Sequence, residues 1–348
     1  MFLKDLWYLA LPSAALAPGT MQRKILLGEP VLLARGHDGV PFALLDVCPH
    51  RAVPLSAGRL ENGSTGPSIE CPYHGWRFAG DGRCVAIPAL MPDQAGDFGK
   101  IKVRRFPVVE RQGLLWIFMA TPGMPEPMEL PPAPLVPGIP LEGTPNIRTV
   151  LPLPGSADHA VLGLIDPAHG PFVHNIWFWR TKTRLKDKTK RYGPSPLGFT
   201  MLSHPPSANS FAYKMLGGDL TTEISFALPG LRIEHVRGGD HHLCNVTAIT
   251  PLTETTSEIV NLIYWTMPWL TILKPFLLPF VRQFLSQDQA IMAAQGENLA
   301  YAGAPLFVQD PDAPSRWYFR LKKEWIDARA EGRPFVNPVQ ETTLRWRT

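Results

Sequence analysis

The sequence predicts an α+β protein of two domains: an all-β N-terminal domain over residues 1–120 and a mixed sheet-and-helix domain over residues 151–348. Three observations predict it. Short apolar runs separated by Gly and Asp turn signals fill the first part of the chain. Nine prolines fall between Pro122 and Pro145, where no periodic pattern survives. Beyond them, stretches of helical period alternate with strand-like runs.

The first strand is expected around Trp7 and Tyr8. The opening MFLKDLWYLALPSAALAPG has the apolar look of an export signal. Asp5 offsets Lys4, however, and Pro12 interrupts the apolar run, so a strand packed into the domain is the better reading. Further strands are expected in Lys24–Leu33, Pro41–Val47 and Leu114–Met119, with a turn at Gly80-Asp81-Gly82. Residues 121–150 read as an extended, proline-rich linker or wrapping segment. Gly155-Ser156 and Gly170-Pro171 bound an expected helix over Ala157–His169. Thr222–Leu228 and Ile259–Trp265 read as strands. Leu262–Val281 is apolar but holds Pro268, Lys274, Pro275 and Pro279, which argues against a transmembrane segment. It reads as a buried strand followed by a broken helix over an apolar pocket. Val281–Tyr301 and Arg320–Ala330 read as helices.

A chain of 348 residues, 45% hydrophobic and 18% charged, can bury two sizeable cores. The net charge of +4 is too small to point to a nucleic-acid partner. Of the four cysteines, Cys84 and Cys244 fit no metal-ligand spacing. They read as partly buried free thiols in a reducing compartment, the cytoplasm.

The remaining cysteines stand in Cys48-Pro49-His50 and Cys71-Pro72-Tyr73-His74. Two Cys and two His can hold zinc, or a [2Fe–2S] cluster in which thiolates take one iron and imidazoles the other. A single residue between Cys48 and His50 is unusual for a zinc finger, and no H-x3-5-H pair follows. Downstream, Asp166-Pro167-Ala168-His169 and His174 read as part of a mononuclear iron site, which takes two histidines and a carboxylate on one face of the metal; the third ligand must come from elsewhere in the chain. His169 and His174 are five residues apart and would diverge on an unbroken helix. A shared metal needs a break, and Gly170-Pro171 is placed to supply one.

The segments CPHRAVPLSAG, CPYHGWRF and LIDPAHGPFVH resemble those of the Rieske non-haem iron ring-hydroxylating oxygenases, specifically the oxygenase (alpha) subunit of the alpha-only vanillate/dicamba demethylase type. Val53 and Tyr73 stand where respiratory Rieske proteins carry an extra disulfide. Gly163, Pro167, Val161 and Leu162 depart from residues common in the oxygenases. The resemblance implies a Rieske β-domain holding the [2Fe–2S] cluster through Cys48, His50, Cys71 and His74. It implies a helix-grip, START-like catalytic domain, an antiparallel sheet curved around a long helix. The iron, as Fe(II), would be held by His169, His174 and a late helical carboxylate, for which Asp288 fits better than Glu297. Asp166 would be an electron-transfer bridge between His169 and His74 of the next chain in a head-to-tail homotrimer. Electrons from NAD(P)H would arrive through a reductase, by way of a ferredoxin. Iron and O2 would then hydroxylate, dihydroxylate or oxidatively demethylate an apolar or aromatic substrate. The alternative is a Rieske electron-transfer protein with a non-catalytic second domain.

Two further features bear on function. Arg180, Lys182, Arg184, Lys186, Lys188 and Lys190 recur at period two, so an extended segment would project all six from one face. A charged edge strand or solvated hairpin is the preferred reading over a docking surface for an acidic ferredoxin. Trp177, Phe178 and Trp179, with Trp265, Met267 and Trp269, suggest walls for an apolar pocket.

Overall fold

The structure is a computed structural model that describes residues 2–63, 66–94, 96, 98–123, 129–174, 185–206 and 219–348. The chain forms two compact units, Lys4–Pro134 and Leu135–Thr348, the latter including Met1–Leu3.

The first unit is all β. One three-stranded sheet runs β1 (Leu6–Pro12), β11 (Leu114–Met119), β10 (Val108–Arg111). A four-stranded sheet runs β2 (Thr20–Leu26), β3 (Glu29–Arg35), β4 (Pro41–Leu45), β9 (Arg105–Phe106). Another runs β5 (Arg59–Gly63), β6 (Gly66–Glu70), β7 (Arg77–Ala79), β8 (Cys84–Ala86). Every residue of β1 and β11 is buried, which accounts for runs with no polar alternation. Lys24–Leu33 is not one strand. Leu27 and Gly28 take positive φ (54° and 77°), the geometry of a two-residue hairpin, and the apolar run folds back on itself as β2 and β3. Leu32, Leu44, Leu55, Ile69, Phe78 and Val103 form the core, and Cys48 and Cys71 belong to it.

The second unit is one eight-stranded antiparallel sheet. Its order is β12 (Ile147–Leu153), β18 (Ser257–Trp265), β17 (His241–Pro251), β16 (Leu231–Gly238), β15 (Leu220–Ala227), β14 (Gly198–His204), β13 (Asp187–Ser195), β19 (Thr342–Arg347). Among the described residues four α-helices accompany it: α1 (Ala157–Ile165), α2 (Gly170–Val173), α3 (Leu270–Gly296) and α4 (Ala313–Ala330). Trp317 of α4 packs edge-on against Tyr192 and Phe199, and Tyr318 against Phe226. Tyr318 and Lys322 also bond Asp158 of α1 at 2.6 Å.

Three helix expectations are corrected. The first helix stops at Ile165, not His169, because Pro167 forces Asp166 into an extended conformation (φ −67°, ψ 118°). Gly170-Pro171 does not break a helix. It begins the single turn of α2, where proline in the first turn loses no hydrogen bond. The long helix is not broken and begins at Leu270, eleven residues before Val281. Pro275 and Pro279 both lie on its exposed side, four residues apart, and the ladder continues past them. No helix of the described residues is long and apolar enough to cross a membrane.

Candidate metal centres

Two loops of the first unit bring Cys48, His50, Cys71 and His74 together. After β4, Cys48 N–H donates to Val53 O (2.9 Å) and Ala52 N–H to Cys48 O (2.9 Å), closing a tight turn. Between β6 and β7, Cys71 N–H donates to Trp76 O (2.8 Å) and Gly75 N–H to Cys71 O (3.1 Å). Gly75 has φ 71°, and a Cβ there would press on Pro88 Cγ at 3.1 Å. The two imidazoles lie 4.6 Å apart, and His50 stacks flat on Trp76 at 4.4 Å. Both cysteines are buried, His50 is half-buried and His74 exposed. The Cys48 thiol is pushed up in pKa by burial and by Cys71 beside it. The cysteines thus face the core and the imidazoles the surface, an arrangement that can hold a cluster through two thiolates and two imidazoles. Cys84 and Cys244 are free and fully buried rather than partly so.

The second centre lies wholly within the second unit. His169 caps the start of α2, His174 its end, and Asp288 sits on α3. His169 Nε2 is 3.2 Å from His174 Nε2, and Asp288 Oδ1 is 3.3 Å from His174 and 3.9 Å from His169. These three form the one His/Cys/Asp/Glu group among the described residues that could hold a metal ion. Glu297 caps the far end of α3, exposed and outside the group.

The hydrogen bonds around the triad fix its electronic character. His169 Nδ1–H donates to Asp166 O at 3.0 Å, with Asp166 Oδ2 at 3.7 Å. His174 Nδ1–H donates to Gln287 Oε1 at 3.0 Å. Both rings therefore carry their proton on Nδ1 and turn an Nε2 lone pair toward the other. Burial lowers the His169 pKa, which disfavours a proton there. Two lone pairs and a carboxylate oxygen converging without a proton repel one another unless a cation lies between them. Ligand atoms at about 2.1 Å and right angles around a metal stand about 3.0 Å apart, close to the two shorter distances here. The residues fit a mononuclear iron, with His174 held flat against Phe284 at 3.6 Å. Asp166 also accepts from Ala168 N–H at 2.7 Å, which secures its carboxylate.

The triad opens into a cavity of about 460 Å³. Leu273, Leu277, Phe280 and Phe284 of α3 form one wall; Ile224, Phe226, Ile259 and Ile263 of the sheet form another. Trp265 lines it too, whereas Met267 is buried in a neighbouring core cluster and Trp269 is exposed. Trp177, Phe178, Trp179, Arg180, Lys182 and Arg184 lie outside the described residues. Lys188 and Lys190, half-buried on the stretch of β13 that pairs with β19, both line the cavity. Gln287 is a site residue that sequence reasoning passed over; its only signal was adjacency to Asp288 in Ser286-Gln287-Asp288-Gln289.

Comparison with known proteins bears on the first domain and on the fold. Residues 6–107 match the Rieske [2Fe-2S] domain family. The chain is 32% identical over 196 residues to chlorophyllide a oxygenase, chloroplastic, of Arabidopsis thaliana, covering 55% of this chain and 33% of that protein. It is 42% identical over 130 residues to the oxygenase component of dicamba O-demethylase of Stenotrophomonas maltophilia, covering 37% of this chain and 36% of that protein. The matches thus span about a third of the length of these curated relatives. A crystal structure of dicamba monooxygenase with non-heme iron and dicamba superposes with a TM-score of 0.71 at 22% identity, over 95% of this chain and 99% of that one. The fold is therefore that of dicamba monooxygenase.

Proposed function

We propose that this chain, which carries a Rieske [2Fe–2S] domain on the fold of dicamba monooxygenase, is the terminal oxygenase component of a multicomponent oxygenase. The observation that carries the proposal is the convergence of His169, His174 and Asp288 at the end of an apolar cavity, in a chain that also presents Cys48, His50, Cys71 and His74. Loaded, the cluster supplies electrons one at a time and the iron supplies a site for O2.

The chain's own residues set the conditions for that chemistry. His169, His174 and Asp288 occupy one side of the metal position and leave the cavity side open. Asp166 O and Gln287 Oε1 hold the two imidazole rings in the tautomer that presents Nε2. The leucines and phenylalanines of α3 exclude water and favour an apolar or aromatic substrate. Hydroxylation, dihydroxylation and oxidative demethylation share this arrangement.

Within this reading the Asp166 carboxylate, one-third exposed, links His169 to His74 of a neighbouring copy, and the protein is a head-to-tail homotrimer. The exposure of His74 and of the Asp166 carboxylate suits such a contact. A reductase, through a ferredoxin, delivers electrons from NAD(P)H. Cys84 and Cys244, the two cysteines outside the cluster set and both without a disulfide, suit a cytoplasmic location.

Iron and sulfide quantitation on anaerobically purified protein tests the proposal. Wild type should hold about three irons and two sulfides per chain. His169→Ala and Asp288→Ala should each fall to about two irons with the cluster's visible spectrum intact, while Glu297→Ala keeps three. Two irons in the wild type would replace this reading with that of an electron carrier with a non-catalytic second domain.

A further inference from the structure

The exposed face of α3 changes character along its length. Upstream it carries Ile272, Pro275, Phe276 and Pro279; downstream it carries Arg282, Gln283, Ser286 and Ala290. Ile272 is 77% exposed and Phe276 78%, and Trp269 at the head of the helix is exposed as well. The downstream half has the polar outer face of a helix in water, and the upstream half does not. Spacings of three and four residues put Ile272, Pro275, Phe276 and Pro279 side by side, so they form one apolar stripe rather than scattered exceptions.

Charge singles out the same half. From Ile259 to Gln287 the chain has no Asp or Glu, and its only charged residues are Lys274 and Arg282. Both are exposed. Arg282 borders the stripe three residues past Pro279, and Lys274 lies in the same turns on another side of the helix. A helix is about 10 Å across, about one Debye length, so both charges feel a surface under the stripe. An apolar stripe headed by a tryptophan, in a cationic stretch without acids, is the make-up of a helix that lies in a membrane interface. α3 is not long and apolar enough to cross a bilayer.

The stripe is joined to the cavity. Ile272, Phe276, Phe280, Phe284 and Asp288 follow one another at intervals of four, and each interval turns the side chain by about 40° round the helix. The ridge therefore passes from the outside inward: Ile272 and Phe276 are exposed, Phe280 and Phe284 line the cavity, and Asp288 belongs to the triad. The stripe is a few side chains on the outside of one helix. A stable protein partner gathers about 20–30 residues on each side, whereas a bilayer requires no matching shape.

We propose that the upstream half of α3, from Trp269 to Arg282, docks on an anionic lipid surface, with Trp269, Ile272 and Phe276 set into the lipid and Lys274 and Arg282 supplying the electrostatic attraction. The docking goes beyond the oxygenase reading and does not depend on it. Where both hold, apolar compounds dissolved in the bilayer meet the chain at the outer end of the ridge that leads to the metal centre.

Cosedimentation of the full-length holoprotein with vesicles tests the docking. One set is phosphatidylcholine alone and the other an equimolar mixture of phosphatidylcholine and phosphatidylglycerol. Wild type should bind the mixed vesicles about fivefold or more tightly than the neutral ones. The double variant Ile272→Asp/Phe276→Asp should bind neither, and Lys274→Gln/Arg282→Gln should bind both about equally. Cluster absorption and circular dichroism matching wild type confirm that each variant is folded. No sedimentation of wild type with either vesicle, equal binding of wild type to both, or unchanged binding in Ile272→Asp/Phe276→Asp would overturn the proposal. So would a smaller assembly of that variant in lipid-free solution, which would assign the stripe to a second copy of this chain.

Discussion

His174 Nδ1 lies 3.0 Å from Gln287 Oε1, so two consecutive residues of α3 address one imidazole, Gln287 from behind and Asp288 Oδ1 at 3.3 Å from Nε2. The amide oxygen can only accept, which commits the ring proton to Nδ1 and leaves Nε2 free for a metal. Gln287→Leu should therefore weaken mononuclear iron binding by about 10- to 100-fold, with Gln287→Glu restoring much of it. Iron retention during dialysis against a chelator measures this, and the cluster spectrum should be unchanged.

Trp76 should matter to the cluster end of the chain rather than to the triad. Its indole covers His50 at 4.4 Å with an interplanar angle of 7° and packs on the core that contains both cysteines. Trp76→Ala should destabilise the first unit by about 1–3 kcal/mol and bleach the cluster's visible absorption faster under heating. A thermal ramp followed at visible wavelengths checks it, and iron at the triad should bind as in wild type.

Arg35 and Glu110 make a pH-dependent contribution to the same unit. The buried guanidinium donates to both Glu110 oxygens, at 2.7 and 3.2 Å, and this holds the Glu110 carboxyl below the usual range. A depressed folded pKa means stability that is fully present above the unfolded value and lost as pH falls through the folded one. Glu110 is partly exposed, so Glu110→Gln should cost only about 1 kcal/mol at neutral pH. Urea denaturation should find that difference shrinking below about pH 4.5.

The sequence made the candidate ligand sets legible because ligand type and spacing are local properties. Cys48, His50, Cys71 and His74 sit in two short loops, and four residues suffice to write their pattern. Asp288 was legible only through resemblance, since nothing in a helical sequence says which carboxylate faces a distant turn. A break was expected at Gly170-Pro171, between His169 and His174, and the helix instead ends at Asp166-Pro167, ahead of both histidines. Both are X-Pro pairs, and the choice between them depends on what each flanking residue packs against. Period two placed the lysines of β13 on one face. Whether that face meets water or a cavity depends on β19, which returns from the far end of the chain to cover the edge. Hydrogen-bond partners such as Gln287 arise from helix rotation, which no local pattern encodes.

The continuity of α3 through Pro275 and Pro279 has a further consequence. Leu273, Leu277, Phe280 and Phe284 upstream and Gln287 and Asp288 downstream ride on one rigid rod. A single inserted residue between Phe284 and Gln287 would swing one group by about 100° relative to the other. Variation in what the cavity accepts is thereby confined to exchanges of side chain along the upstream half, because any change of length there would pull the triad apart.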